Sequence, residues 1–170
     1  MDQTVKAHDC CTTKDAGSDS YDLIVVGAGS AGFSASITAA EAGKRVALVG
    51  HGTIGGTCVN VGCVPSKAMI RAADAVHSGR SAARFPGISP CEHAVDWSAV
   101  VKGSADLVEE MRHKKYIDLL PAYENLTYIE EGPARLVEGG VAVAERVISS
   151  PRILIATGSR PHMPAIKGID

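Results

Sequence analysis

Short apolar runs alternate with longer mixed stretches along this chain, and their order is informative. Asp22-Leu23-Ile24-Val25-Val26 is an apolar run closed by Gly27, the pattern of a parallel strand buried on both faces. Ser30 to Ala42 is rich in Ala and free of Pro, which predicts a helix, and Gly43 suits its C-terminal cap. Arg45-Val46-Ala47-Leu48-Val49 reads as a second buried strand. Strand, helix and strand follow one another in under 30 residues, so the spacing predicts a βαβ unit with a right-handed crossover.

The stretch from Gly50 to Gly62 is dense in glycine, and a helix is predicted from about Pro65 to Val76, since Pro suits a first helical turn. Residues 79–95, with Pro86, Gly87 and Pro90, read as a loop, and Asp96 as the cap of a second long helix ending near Pro121. Beyond it, Leu126–Glu130, Val141–Ala144, Arg146–Ser150 and Arg152–Ala156 have the length and pattern of strands, and Gly139-Gly140 marks a hairpin turn. The expected architecture is α/β: a three-layer, Rossmann-like domain over residues 21–170, with a parallel sheet, helices on one side, and a small β-meander from about residue 126 to 150. Residues 1–20 are polar and are expected to form a flexible tail.

Composition adds mainly exclusions. Hydrophobic residues make up 45%, charged residues 21%, aromatics 4%, and the formal net charge is −2. There is no basic excess to draw nucleic acid or an anionic membrane, and few rings on which bases would stack. No apolar run approaches the length of a membrane span. The first twenty residues lack the charged-then-apolar order of a signal peptide, so a cytoplasmic location is expected. Five cysteines, an odd number, argue against a secreted disulfide scaffold. In a reducing compartment a cysteine pair is more often catalytic or metal-binding than structural.

Gly27-Ala28-Gly29-Ser30-Ala31-Gly32 is GxGxxG between a predicted strand and a predicted helix, the context in which the pattern signals a dinucleotide site. Gly27 permits the tight turn, Gly29 lets backbone approach a pyrophosphate, and Gly32 lets helix and strand pack closely. The amides of Ser30, Ala31 and Gly32 are placed to meet phosphate at a helix N-terminus. The acidic residue expected after the second strand, which holds a ribose hydroxyl, is missing: Gly50 stands there, followed by His51. His51, a backbone group and a water molecule are all open as replacements, as is a weaker contact.

Gly55-Gly56-Thr57-Cys58-Val59-Asn60-Val61-Gly62-Cys63-Val64-Pro65-Ser66-Lys67 carries the most specific chemistry. In a regular helix, Cys58 and Cys63 would point about 140° apart, so they can pair only if the helix start is distorted, and Gly62 permits that. Lys67 follows Cys63 by four residues and shares its helical face. A helix N-terminus and a nearby cation both favour a thiolate at Cys63. A zinc site would need four ligands, and Cys58 and Cys63 lack a second closely spaced ligand pair.

These thirteen residues resemble the active-site signature of the class I pyridine nucleotide-disulfide oxidoreductases, the family of glutathione reductase, dihydrolipoamide dehydrogenase and mercuric reductase. Ala156-Thr157-Gly158-Ser159 resembles the family's second FAD-contact segment, and Gly132-Pro133-Ala134 its adenine-side turn. The resemblance implies FAD as cofactor, with Gly27, Gly29, Ser30, Ala31, Gly32, Gly52, Thr57, Lys67, Ala134, Thr157 and Gly158 as contacts. It implies that Cys63 faces the flavin, that Cys58 is the outer interchange thiol, and that Lys67 tunes the flavin. The flanks Gly52-Thr53-Ile54, Ala68 to Ala73 and Met111 to Tyr116 resemble the mercuric reductases, which implies NADPH-dependent reduction of Hg(II) to Hg(0), with Hg(II) held transiently by Cys58 and Cys63. A soft ion with a strong preference for thiolates suits that pair. A dihydrolipoamide dehydrogenase-like or other disulfide reductase remains an alternative, as does a non-catalytic thiol module that binds soft metals.

Cys10-Cys11 is a further candidate for collecting Hg(II), although an incidental pair is the plainer reading, and Cys91 reads as a bystander. By resemblance, the full subunit is a homodimer that continues into an NADPH domain and an interface domain. The NADPH site therefore lies outside these 170 residues, and the fold is expected to be incomplete relative to the family. The chain alone is expected to show no NADPH-dependent turnover.

Overall fold

A computed structural model describes residues 19–169. Strand β1 (Leu23–Val26) leads through helix α1 (Ser30–Glu41) to β2 (Val46–Val49). The short helix α2 (Gly56–Asn60) and the long α3 (Cys63–Arg80) follow, then a 3-10 turn and α4 (Trp97–Lys115). Strands β3 (Leu126–Ile129), β4 (Ala134–Val137), β5 (Gly140–Val143), β6 (Arg146–Ser149) and β7 (Ile153–Ile155) complete the chain.

Four strands form a sheet in the order β3-β2-β1-β7, every neighbouring pair parallel. The apolar runs predict this, because strands covered on both faces have no polar side to show. Val25, Val46, Leu48 and Leu126 face a core shared with Phe33 and Ala40 of α1 and with Tyr116 just beyond α4. On the other face Ile24, Ala47, Val49 and Ile129 meet Val141, Val143 and Ile148 of an antiparallel meander, β4-β5-β6. Helices, parallel sheet and meander are the three layers.

The structure moves several boundaries. Helix α3 starts at Cys63, not Pro65, because Gly62 already accepts a helical bond from the Ser66 amide at 3.2 Å. It runs on to Arg80 through Gly79, where a Cβ would lie 2.5 Å from His93 Nε2. That glycine receives the returning loop, whose Cys91 amide donates to the Gly79 carbonyl at 2.9 Å. The helix capped by Asp96 ends at Lys115, and Pro121 sits in a separate 3-10 segment, Ile117–Ala122. The meander spans 134–149, not 126–150: β3 pairs with β2 in the parallel sheet, and the strand missed by sequence, β4, takes its place. Strand β4 exposes Arg135, Leu136 and Val137, so it has no apolar alternation to read. Asp19 and Ser20, the last two residues of the polar segment, already touch β6. The Ser149 amide donates to the Asp19 carbonyl at 2.7 Å, and Ser20 forms an isolated bridge with Ser149.

Candidate functional site

The carboxyl ends of β1, β2 and β7 open into one cleft of about 580 Å³, the place where open α/β sheets bind ligands. Its floor begins with the loop after β1. Gly27 has φ +118°, and a Cβ there would lie 2.1 Å from the Ala156 carbonyl oxygen; the loop crosses the end of β7 with no room for a side chain. Gly32 touches from the other side, since its Cβ would meet the Gly27 oxygen at 1.8 Å. It therefore seats α1 against β1 and lies outside the cleft lining.

Gly29 behaves differently. Its Cβ would meet only the Gly56 Cα, at 3.7 Å, so its bare side faces free space in the cleft, where another group can come against backbone. Helix α1 starts one residue later with no side chain capping it, which leaves its first amides and the positive end of its dipole facing the cleft. Ser30 and Ala31 line it. The Ser30 hydroxyl shares a hydrogen bond of 3.0 Å with the Tyr116 hydroxyl, and the Tyr116 ring packs edge-on against Phe33 at 4.8 Å. Tyr116 thus ties the helical layer to the first turn of α1.

The opposite wall is the cysteine segment. The Gly55 amide donates to the Ala28 carbonyl at 2.9 Å, and Gly29 and Gly55 form an isolated bridge. Asn60 closes the loop from within, its Nδ2 donating to the carbonyls of Ile54 and Gly56, both at 2.9 Å. After Asn60 the helix breaks. Val61 and Gly62 leave helical geometry, and α3 restarts at Cys63. A Cβ on Gly62 would lie 2.9 Å from the Thr57 oxygen and 3.3 Å from the Cys58 Cα. The bare glycine therefore lets the start of α3 press against the turn that carries Cys58, and the 140° separation of a continuous helix is removed.

Cys58 and Cys63 are both free and exposed. A hydrogen bond to Cys63 holds the proton on Cys58 and raises its pKa above the ordinary thiol value. Crowding by protein atoms adds to this, while a hydrogen bond from the Cys63 backbone and, after it, the positive charge of Lys67 pull the other way. Cys58 and Thr57 line the cleft, as do Gly52 and the exposed His51; Cys63 and Lys67 stand on α3 beyond its lining. Ala134, Thr157 and Gly158 close the far side. The structure thus brings together ten of the sequence-predicted residues around one cleft and leaves Gly32, Cys63 and Lys67 behind or beside it. Cys91 is exposed and far along the chain from the pair; Cys10 and Cys11 lie outside the described residues. Among the described residues, no three His, Cys, Asp or Glu side chains converge as a metal cluster would require, and no helix is long and apolar enough to cross a membrane.

The model of the pyridine nucleotide-disulphide oxidoreductase family matches residues 21–170. This chain belongs to that family. Among its relatives, a mercuric reductase of Streptomyces lividans is 44% identical over 158 residues, covering 88% of this chain and 32% of the relative. A mercuric reductase of Serratia marcescens is 41% identical over 157 residues, covering 86% and 33%. Among solved structures, the HOCl-induced flavoprotein disulfide reductase RclA from Escherichia coli superposes with a TM-score of 0.70 at 27% identity, over 88% of this chain and 31% of that one. The chain thus spans about a third of the length of these relatives. Asn60 and Tyr116 brace the walls of the cleft from outside its lining, a role the sequence did not show. Asn60 sat unremarked inside the motif, whereas the partner of Tyr116 lies 86 residues away.

Proposed function

We propose that residues 21–170 form the FAD-binding, dithiol-carrying portion of a mercuric reductase acting in the cytoplasm. The observation that carries the reading is the pinning of the Gly29 loop to the Gly55 loop. It sets an uncapped helix N-terminus and Cys58, one of two free cysteines of the motif, on two walls of one cleft. The relatives' names supply the substrate, and soft Hg(II) matches a dithiol.

The residues present fit FAD. The amides of Ser30 and Ala31 and the bare side of Gly29 suit its pyrophosphate. Thr157 and Gly158 after β7, Gly52 and Thr57 suit the flavin half, and Ala134 the adenine side. When bound, FAD supplies two-electron chemistry between NADPH and the thiols. By the resemblance of the motif, Cys63 and Lys67, which stand on α3 just beyond the cleft lining, would serve as the flavin-side thiol and its neighbouring cation. Cys58, which holds its proton, is the thiol that meets the incoming ion. Binding of Hg(II) by the two sulfurs releases their protons, and two electrons then yield Hg(0). Overall, NADPH and Hg(II) give NADP⁺, a proton and Hg(0). The NADPH site and a homodimeric partner belong to the longer protein in this reading.

The test is spectroscopic. Purified chain incubated with FAD and gel-filtered is expected to keep flavin absorbance, and Hg(II) is expected to protect Cys58 and Cys63 together from alkylation. A colourless protein that still binds Hg(II) would identify a thiol module without flavin, the reading that Gly50 favours. In the longer protein, NADPH oxidation driven by a lipoamide-type disulfide and not by Hg(II) would identify a disulfide reductase instead.

A further inference from the structure

The ribose-binding acid of dinucleotide folds stands just past the second strand, and here that position is Gly50. Backbone geometry does not demand a glycine, because Gly50 is not among the residues with positive φ. Space does. Strands β2 and β3 run in register with Leu48 opposite Tyr128, and both side chains pack on the helical face of the sheet. Side chains alternate along a strand, so position 50 faces the same way as Leu48. A Cβ on Gly50 would lie 2.5 Å from the Tyr128 hydroxyl oxygen, 2.8 Å from its Cε2 and 3.0 Å from the Ala28 Cβ. The phenol therefore ends where the acidic side chain would begin, and the two exclude each other.

Gly50 and Ala28 both line the cleft, so the Tyr128 hydroxyl lies directly behind its wall at the end of β2. That hydroxyl is buried and has no hydrogen-bond partner among the described residues. A buried hydroxyl left unmatched is unfavourable, and a ligand hydroxyl at this end of the cleft would match it.

We propose that the Tyr128 hydroxyl replaces the missing acid as the contact to the adenosine ribose of the bound dinucleotide. The assignment rests on the FAD reading above. It changes the chemistry of the subsite: a carboxylate is an anion with two acceptor oxygens, whereas a phenol is neutral and both donates and accepts. Burial, and then the charge of Glu130, raise the Tyr128 pKa above its ordinary value, so the proton stays on the oxygen throughout the neutral range.

The experiment titrates FAD and FMN into the purified chain by flavin fluorescence. FMN lacks the adenosine half, so a ribose contact moves one ligand and not the other. Tyr128→Phe keeps the ring and is expected to weaken FAD binding about tenfold, equal to about 1.4 kcal/mol, with FMN unchanged. Unchanged FAD affinity, or an equal loss for both ligands, would overturn the assignment. A second pair of variants tests the exclusion. Gly50→Glu alone is expected to weaken FAD binding, and Gly50→Glu combined with Tyr128→Val to restore it; a double variant no better than the single one counts against the proposal. A parent chain that binds neither flavin overturns the FAD reading itself, and the assignment falls with it.

Discussion

At the scale of single residues, the hold that Cys63 has on the Cys58 proton is the most consequential feature. Cys58 has its pKa raised, chiefly by its bond to Cys63. The sign follows from linkage: a group whose folded pKa lies above its unfolded value contributes stability below the unfolded pKa, and loses it as pH rises through the folded one. The contribution is therefore complete at neutral pH and disappears in the alkaline range. In kinetic terms, Cys63→Ala should make Cys58 react faster with iodoacetamide at pH 8.5, because the bond that keeps it protonated is gone. Mass spectrometry of the Cys58 peptide checks this, and an unchanged or slower rate would show that Cys63 is not what holds the proton. The helix break between Cys58 and Cys63 was legible in their spacing and in Gly62, whereas the roles of Cys58, Cys63 and Lys67 were read from the resemblance of the motif. The crowding of Tyr128 against Gly50 was not legible, because Gly50 follows a neighbouring strand and lies 78 positions earlier in the sequence.

Among the elements, the seat of α1 on β1 decides whether the cleft exists. Gly32→Ala would put a methyl carbon 1.8 Å from the Gly27 oxygen. The obstacle is backbone, which cannot rotate aside, so α1 must lift from the sheet. Overpacking of this kind should cost about 3 kcal/mol or more, read as a lower urea midpoint, and FAD binding should weaken as the helix N-terminus moves. A variant with parental stability would mean the helix–strand contact is looser than the geometry indicates. The three long helices and the central strands were legible because their patterns are strong, with unbroken apolar runs, the cap at Asp96 and glycines at the turns, whereas the short α2 lay hidden in a glycine-dense stretch. Strand β4 was not. Its residues are mostly exposed, and its pairing with β5 from Ala134 to Val137, rather than any preference of its own, makes it a strand.

For the molecule as a whole, the sheet has an uncovered side. Among the described residues strand β7 pairs only with β1, and Ile153, Leu154 and Ile155 are 37%, 36% and 62% exposed. An apolar edge strand with free backbone groups invites pairing with another chain. The isolated 170-residue chain should therefore associate as its concentration rises, and Ile155→Lys should reduce this, as followed by light scattering and dye binding. A parent chain that stays monomeric would show that the edge is better protected than its exposure implies. The strand order β3-β2-β1-β7 was beyond the sequence because it is set by pairing between distant segments, and nothing local in Ile153–Ile155 names β1 as its neighbour. That pairing also has a history in time. Ile24 is joined to Ile153, so β1 leaves the ribosome long before its partner is made. At about 5–20 residues per second, the central strand of the sheet waits on the order of ten seconds with one side open. The chain's exposure to chaperones and misassembly is thus set by the speed of its synthesis as well as by the stability of its finished fold.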